Sequence, residues 1–311
     1  MGVVERTRER TGWTVRRILK RLGMPKSRYY EWKKRAEQER LDDLVPGARG
    51  LRRGAILPEE KEAVVDFALA HPRDGYRRLA WMMVDEDVAY VSPSSVYRIL
   101  KEADLLYRWK RSRPKGKKPP EPTEPNERWH TDIMYLRVQD SWYFLVAVLD
   151  AYSRYVVHWD LLVTMTAADV RMVIHDAVKK TGANPQIVTD NGSQFTAKDF
   201  KALVREFELD HIRIRTYHPE SNGRVERFHR STREGLEAEE LRNLSEAREA
   251  IGRWVRHYNE ERLHAALGYL PPAEYYAGDP ETRREERRKK LEEARKRREA
   301  INHQRQLDAA A

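Results

Sequence analysis

Three acidic residues stand in settings where a carboxylate needs a reason. Asp132 interrupts the strand-like run "RWHTDIMYLRV", Asp190 closes "PQIVTD" just before Asn191-Gly192, and Glu226 stands among arginines in "HPESNGRVERFHR". Two of them have ordinary alternatives. An aspartate before Asn-Gly is a turn residue, and a glutamate three residues past Gly223 suits a helix N-terminus. Asp132 is harder to explain that way, because an acid inside an aromatic-rich strand is unusual unless paired or ligated. Taken together, the three describe hard-oxygen chemistry. Magnesium takes oxygen ligands, keeps several waters and is usually held by one or two carboxylates plus substrate phosphate. In-line displacement at a phosphodiester is served by two such ions roughly 3.5–4 Å apart. An Asp bridging both ions and one further carboxylate for each meets that need. Without cations three neighbouring anions repel, so the site is expected to order on metal binding.

Separate elements must carry the three acids to one point. "RWHTDIMYLRV", "SWYFLVAVLDAY" and "RYVVHWDLLVT" read as three successive strands. A helix over Ala167 to Lys180 follows, then the strand "PQIVTDN", a helix over Thr196 to Glu208, the strand "HIRIRTY" and a helix opened by Gly223. Short connections followed by alternating helix and strand predict a mixed α/β sheet flanked by helices. Asp132 lies inside the first strand, Asp190 ends the fourth, and Glu226 falls in a first helical turn. The 35 residues from 191 to 225 hold one helix, one strand and a return loop, which lets the three converge. Asp150 in "VLDAYSRY" is expected in the turn between strands. His158, His175 and His257 have no ligand-like company and read as ordinary histidines.

The front of the chain has another texture. Residues 1–120 carry 29 Lys+Arg against 17 Asp+Glu, a net of +12, whereas the remainder is at −2. A basic front and a near-neutral back fit a polyanion grip joined to a separate chemical domain. In "TVRRILKRLGMPKSRYYEWKKR" (14–35), Val15, Ile18, Leu19 and Leu22 recur at helical spacing, Gly23 breaks the run, and a basic-aromatic helix follows Pro25. That is a helix-turn-helix pattern, with Lys26, Arg28, Tyr29 and Lys33 as candidate DNA contacts. A second such pattern spans 76–106. Ser92 is its candidate N-cap, Pro93 its first helical residue, and Val96, Ile99 and Leu100 its apolar stripe, leaving Ser94, Ser95, Tyr97 and Arg98 outward. The linkers 46–54 and 107–125 are rich in Pro, Gly and positive charge, and Lys115, Lys117 and Lys118 in the second are candidate phosphate contacts.

Composition excludes several classes. The chain has 311 residues and no cysteine, so disulfides and thiolate zinc sites are ruled out, which fits a reducing cytosol. The longest apolar run, Trp142 to Leu149, is too short to span a bilayer. No GxxxxGK[ST] occurs, so nucleotide hydrolysis by a P-loop is not indicated. The final stretch, 279–311, reads as one exposed helix with Glu-to-Arg pairs and few apolar residues, a solvated face without a strong coiled-coil seam.

"WHTDIMYL", "TDNGSQF" and "YHPESNGRVERFHR", in that order, resemble the catalytic core of DDE transposases of bacterial insertion sequences and of retroviral integrases. "YNEERLHAALGYLPPAEYY" and "HPRDGYRRL…VSPSSVYRIL" resemble segments of the insertion-sequence branch. The resemblance implies an RNase H-like fold with Asp132, Asp190 and Glu226 as triad, two Mg²⁺ or Mn²⁺ ions per site, and Arg233 as the basic residue two helical turns beyond the glutamate. It implies element ends and target DNA as double-stranded partners, and a homo-oligomer, dimer or tetramer, on DNA. Asn191, Asn222, Arg224, Arg227, His229, Arg230 and Arg233 are then expected to meet DNA. The expected organisation is a helix-turn-helix module (1–45), a linker (46–60), a second helix-turn-helix-like module (61–106) and a basic linker (107–127). The RNase H-like core (128–240), a helical extension (241–278) and the charged tail (279–311) complete it. Two other readings stay open: an inactive DNA-binding regulator, and a nuclease that cuts without joining.

Overall fold

The computed structural model describes residues 2–37, 54–106, 121–213 and 223–308. It divides into two compact units, 1–55 with 300–311, and 56–299.

In the first unit, α1 (Gly2–Thr11), α2 (Val15–Arg21) and α3 (Lys26–Glu37) pack around Val4, Ile18, Leu19 and Tyr29. Gly23 turns the chain between α2 and α3 with φ +64°, a left-handed conformation that glycine adopts without a Cβ clash.

The second unit opens with a three-helix module, α4 (Pro58–Ala70), α5 (Tyr76–Asp85) and α6 (Pro93–Glu102). Its core joins Val64, Leu79, Met83, Val96, Ile99 and Leu100. Ser92 caps α6 by accepting the Ser95 N–H, and Pro93 occupies the first turn.

Five strands follow: β1 (Arg128–Val138), β2 (Ser141–Asp150), β3 (Val156–Leu162), β4 (Gln186–Thr189) and β5 (Asp210–Arg213), in the sheet order β3-β2-β1-β4-β5. The first three are antiparallel neighbours; β4 and β5 run parallel to β1. α7 (Ala167–Thr181), α8 (Ser193–Thr196) and α9 (Lys198–Glu206) accompany one face, and α10 (Gly223–Leu236) and α11 (Leu244–Glu260) the other. β2 is apolar without alternation because both its faces are covered. Leu145, Ala147 and Leu149 meet the α10/α11 layer, while Val146 and Val148 meet α7 and α9. This is the mixed sheet of an RNase H-like core. A 3-10 turn (Ala265–Leu267), α12 (Pro272–Tyr276) and the long α13 (Pro280–Asp308) complete the chain. Among the described residues no helix is long and apolar enough to cross a membrane.

Two expectations change. Tyr29 is only 4% exposed and belongs to the α1–α3 core, because its helical position coincides with the Ile18/Leu19 contact. Tyr30, 48% exposed, is the aromatic on the outer surface of α3. The tail is one helix, as expected, but it is not solvated all round: Arg287, Ala294, Arg298 and Asn302 are buried.

Candidate active site

Strand register governs the first two acids. β1 and β4 pair in parallel with His130 opposite Val188. Two residues further along both segments come Asp132 and Asp190, the latter the first residue beyond β4. The paired stretch ends at His130 and Val188, two residues before each aspartate, so the two acids follow the last paired positions of adjacent parallel strands. One oxygen of Asp132 accepts the Ile133 N–H at 2.9 Å, and one of Asp190 accepts the Gly192 N–H at 2.9 Å. Asp190 therefore also shapes its own Asn191-Gly192 turn.

Alternation along β1 puts His130 and Asp132 on the face of Met134 and Val138, the face that α10 covers. α10 docks through Val225, Phe228, His229, Thr232 and Leu236, all buried at helical spacing. Two contacts fix it over β1. Arg224 Nη1 donates toward His130 Nε2 at 3.3 Å, and His229 Nδ1 lies 3.9 Å from an Asp132 carboxylate oxygen. Burial, and then Arg233, hold His229 down to about 4, so this is a contact of a neutral imidazole rather than an ion pair. Burial likewise lowers His130 to about 4, with Arg154 and Arg128 adding to it.

Glu226 lies one turn before His229 on the same helix, exposed in the first turn of α10. Asp132 thus lies on β1, Asp190 just beyond the neighbouring β4, and Glu226 on the helix whose His229 touches Asp132. Among the described residues Glu226 makes no ion pair, although Arg224, Arg227 and Arg230 share its helix. Arg224 instead pairs with Glu121, and Arg227, Arg230 and Arg233 are exposed. Among the described residues no three acidic or histidine side chains stand close enough to cage a metal ion as they are.

The other expected site residues fall into groups. Lys26, Arg28 and Lys33 are exposed on α3, and Ser94, Tyr97 and Arg98 on α6. Ser95 is half-buried, donating its N–H to Ser92 Oγ and accepting from Arg98 at 3.1 Å. Asn191 is exposed beside Asp190. Lys115, Lys117, Lys118 and Asn222 lie outside the described residues. His229 is not on the outer surface of α10 as expected: it is 5% exposed, because it shares the buried stripe of Val225, Phe228 and Thr232. Reading the helical period through residues 225–236 places it inward; reading it as one more basic side chain does not.

Asp150 ends β2 and is fully buried. It accepts the Ser153 N–H and O–H and the Asn126 N–H at 2.6–2.8 Å. Burial pushes its carboxyl up, opposed by these hydrogen bonds. It ties the β2–β3 turn to the entry of β1, a structural task. His175 and His257 pair with the surface carboxylates of Asp176 and Glu261.

Family models described as integrase core domain match residues 122–219 and 208–272, and two described as homeodomain-like match residues 1–45 and 28–100. A protein of insertion element IS476 from Xanthomonas euvesicatoria is 30% identical over 69% of this chain and 63% of its own length. The transposase for insertion sequence element IS904 from Lactococcus lactis is 27% identical over 49% of this chain and 62% of its own length. The chain thus spans under two thirds of each of these relatives. Among solved structures, the HTLV-2 integrase catalytic core domain in complex with magnesium is 19% identical, with a TM-score of 0.42, over 49% of this chain and 97% of that one. Residues 122–272 match the integrase core domain, and the chain is similar in sequence to proteins of bacterial insertion elements.

Proposed function

We propose that the chain binds the ends of an insertion element as double-stranded DNA, hydrolyses a phosphodiester to free a 3′-OH, and directs that hydroxyl onto a target phosphodiester. Asp132, Asp190 and Glu226 would hold two divalent ions, Mg²⁺ or Mn²⁺. The donor set fits hard cations: three carboxylates on three elements, with Glu226 unpaired among the described residues. When bound, such ions supply charge stabilisation at the attacking and leaving oxygens. The chain's own part is geometric. β1 and the end of β4 would present Asp132 and Asp190, and α10, docked through its buried stripe, would present Glu226. Arg227, Arg230 and Arg233 grip phosphates flanking the scissile bond. Exposed residues of α3 and α6 read the end, and two ends meeting one target call for a dimer or tetramer.

The observation that supports this reading is the parallel pairing of β1 and β4 up to two residues before Asp132 and Asp190, with His229 of the Glu226 helix 3.9 Å from Asp132. The test is an end duplex incubated with the chain and Mg²⁺ or Mn²⁺, scoring 3′-end release and joined products, with Asp190→Asn as control. Release and joining by wild type alone support the proposal. Cutting without joining makes the chain a nuclease, and binding without either makes it a regulator.

A further inference from the structure

The buried positions of α13 between 280 and 299 follow a 4-3-4 spacing: Arg287, Leu291, Ala294 and Arg298, with Leu291 half-buried. That is the spacing of a coiled-coil seam, yet two of its four members are arginines. Their partners lie on the α4–α6 module. Arg287 donates from Nε and Nη2 to the Asp85 carboxylate at 2.8 and 2.5 Å and lies over the Trp81 ring. Lys290 donates to the Val84 carbonyl at 3.2 Å and pairs with Asp87. Arg298 donates to Glu60 at 2.9 Å and to the Tyr90 carbonyl at 3.1 Å, while the other Glu60 oxygen caps α4 through the Leu57 N–H. The remaining Arg287 nitrogen, Nη1, donates to the Tyr269 carbonyl at 2.8 Å, in the segment that follows α11. One guanidinium is therefore bonded to the helical module and to the extension of the core at once.

A seam of leucines could slip by a turn at little cost. A seam of buried guanidiniums cannot, because each slipped register strands a charge away from water and from its carboxylate. The clamp touches the start of α4, the end of α5 and the α5–α6 turn, and leaves Ser94, Tyr97 and Arg98 of α6 exposed. A second tie joins the same bodies: Arg78 donates to the Leu263 carbonyl at 3.1 Å, and Arg73 pairs with Glu237.

We infer that α13 is a ruler: it holds the α4–α6 module at one position on the catalytic unit, and so sets how far along the DNA the cut phosphodiester lies from the bases that α6 contacts. Arg287 is the positioning residue. The inference rests on the transposase reading above, and α13 lies beyond the residues that the family models match.

Two measurements test it. The chain has no cysteine, so Glu62→Cys in α4 and Asp140→Cys in the β1–β2 turn accept a pair of spin labels. The wild-type distance distribution is expected to be single and narrow, and Arg287→Met to broaden it. On an end duplex, wild type is expected to cut at one phosphodiester. Arg287→Met is expected to spread the cut over neighbouring positions while end affinity changes by less than about threefold. Lys290→Met, at a half-exposed position, is the milder variant should Arg287→Met fold poorly, with a smaller spread in both readouts. A distribution that stays narrow in both variants overturns the clamp. A broadened distribution with an unchanged single cut site overturns the ruler. A wild type that cuts nothing overturns the transposase reading and the ruler's register role, while the label distances still decide the clamp.

Discussion

Glu226 and His229 share one turn of α10, the first facing solvent and the second pressed against Asp132. An exposed carboxylate there has no part in the core, and the proposed function gives it a cation to hold. Glu226→Gln, Asp190→Asn and Asp132→Asn are accordingly expected to lower end cutting by at least about 10³-fold, since the lost charge stabilisation is worth several kcal/mol. End binding measured by fluorescence anisotropy should persist, and its loss in all three would make these residues structural. Tyr29 makes the opposite case. As a core residue, Tyr29→Ala should destabilise the first unit by about 3 kcal/mol in thermal unfolding, whereas Tyr29→Phe should cost far less. Equal weakening of DNA binding by both variants, with no change in stability, would return Tyr29 to the DNA surface. The positions of Asp132 in a strand, Asp190 at a strand end and Glu226 in a first helical turn were legible in the sequence, because each follows from the local strand or helix pattern. The inward turn of Tyr29 was not, because an aromatic fits either side of a helix and the neighbouring element decides, whereas that of His229 follows the helical period of residues 225–236 and is masked only by its basic type.

At the level of elements, the close approach of α10 and α11 rests on Gly235. A Cβ there would fall 2.4–2.7 Å from the Trp254 ring, whose Nε1 donates to Thr232 Oγ1 at 3.1 Å. Gly235→Ala must move that ring, so a loss of about 1–3 kcal/mol is expected from denaturant unfolding. Unchanged stability would mean that the helices stand further apart. The segment after α11 is sensitive to acid for a related reason. His264 is held down to about 3 by burial, with Arg262 and Arg78 adding to it, and its Nε2 lacks a hydrogen-bond partner among the described residues. The unfolded chain takes up the proton near 6.5 and the folded chain does not, so its stabilising contribution is full above pH 6.5 and falls as pH drops toward 3. Between pH 7.5 and 5 this amounts to about 1–2 kcal/mol, and His264→Gln should flatten that part of the pH–stability curve. Strands β1 to β3 were legible from their Val, Tyr and Trp runs. The packed face of α13 was not, because its seam is built from arginines and a search for apolar residues passes over them.

The whole molecule separates charge along its length, with a net of +12 over residues 1–120 and −2 over the rest. If the front grips DNA, affinity comes mainly from counterion release and must fall steeply with salt. The exposed Lys26, Arg28 and Lys33 of α3 and Arg98 of α6 in the front, with the exposed Arg227 and Arg230 of α10, suffice for about six phosphate contacts. That number corresponds to a loss of about 10³-fold in affinity between 50 and 200 mM salt. Removing one contact should reduce the slope of log K against log[salt] by about one, so Arg98→Ala is expected to do so on end and scrambled duplexes alike. Asp190→Asn should leave the slope unchanged, because it removes no cation. Anisotropy titrations across that salt range decide the matter. A slope near zero, or one that Arg98→Ala and its α3 counterparts fail to move, would show that the positive front serves solubility and that DNA is held elsewhere.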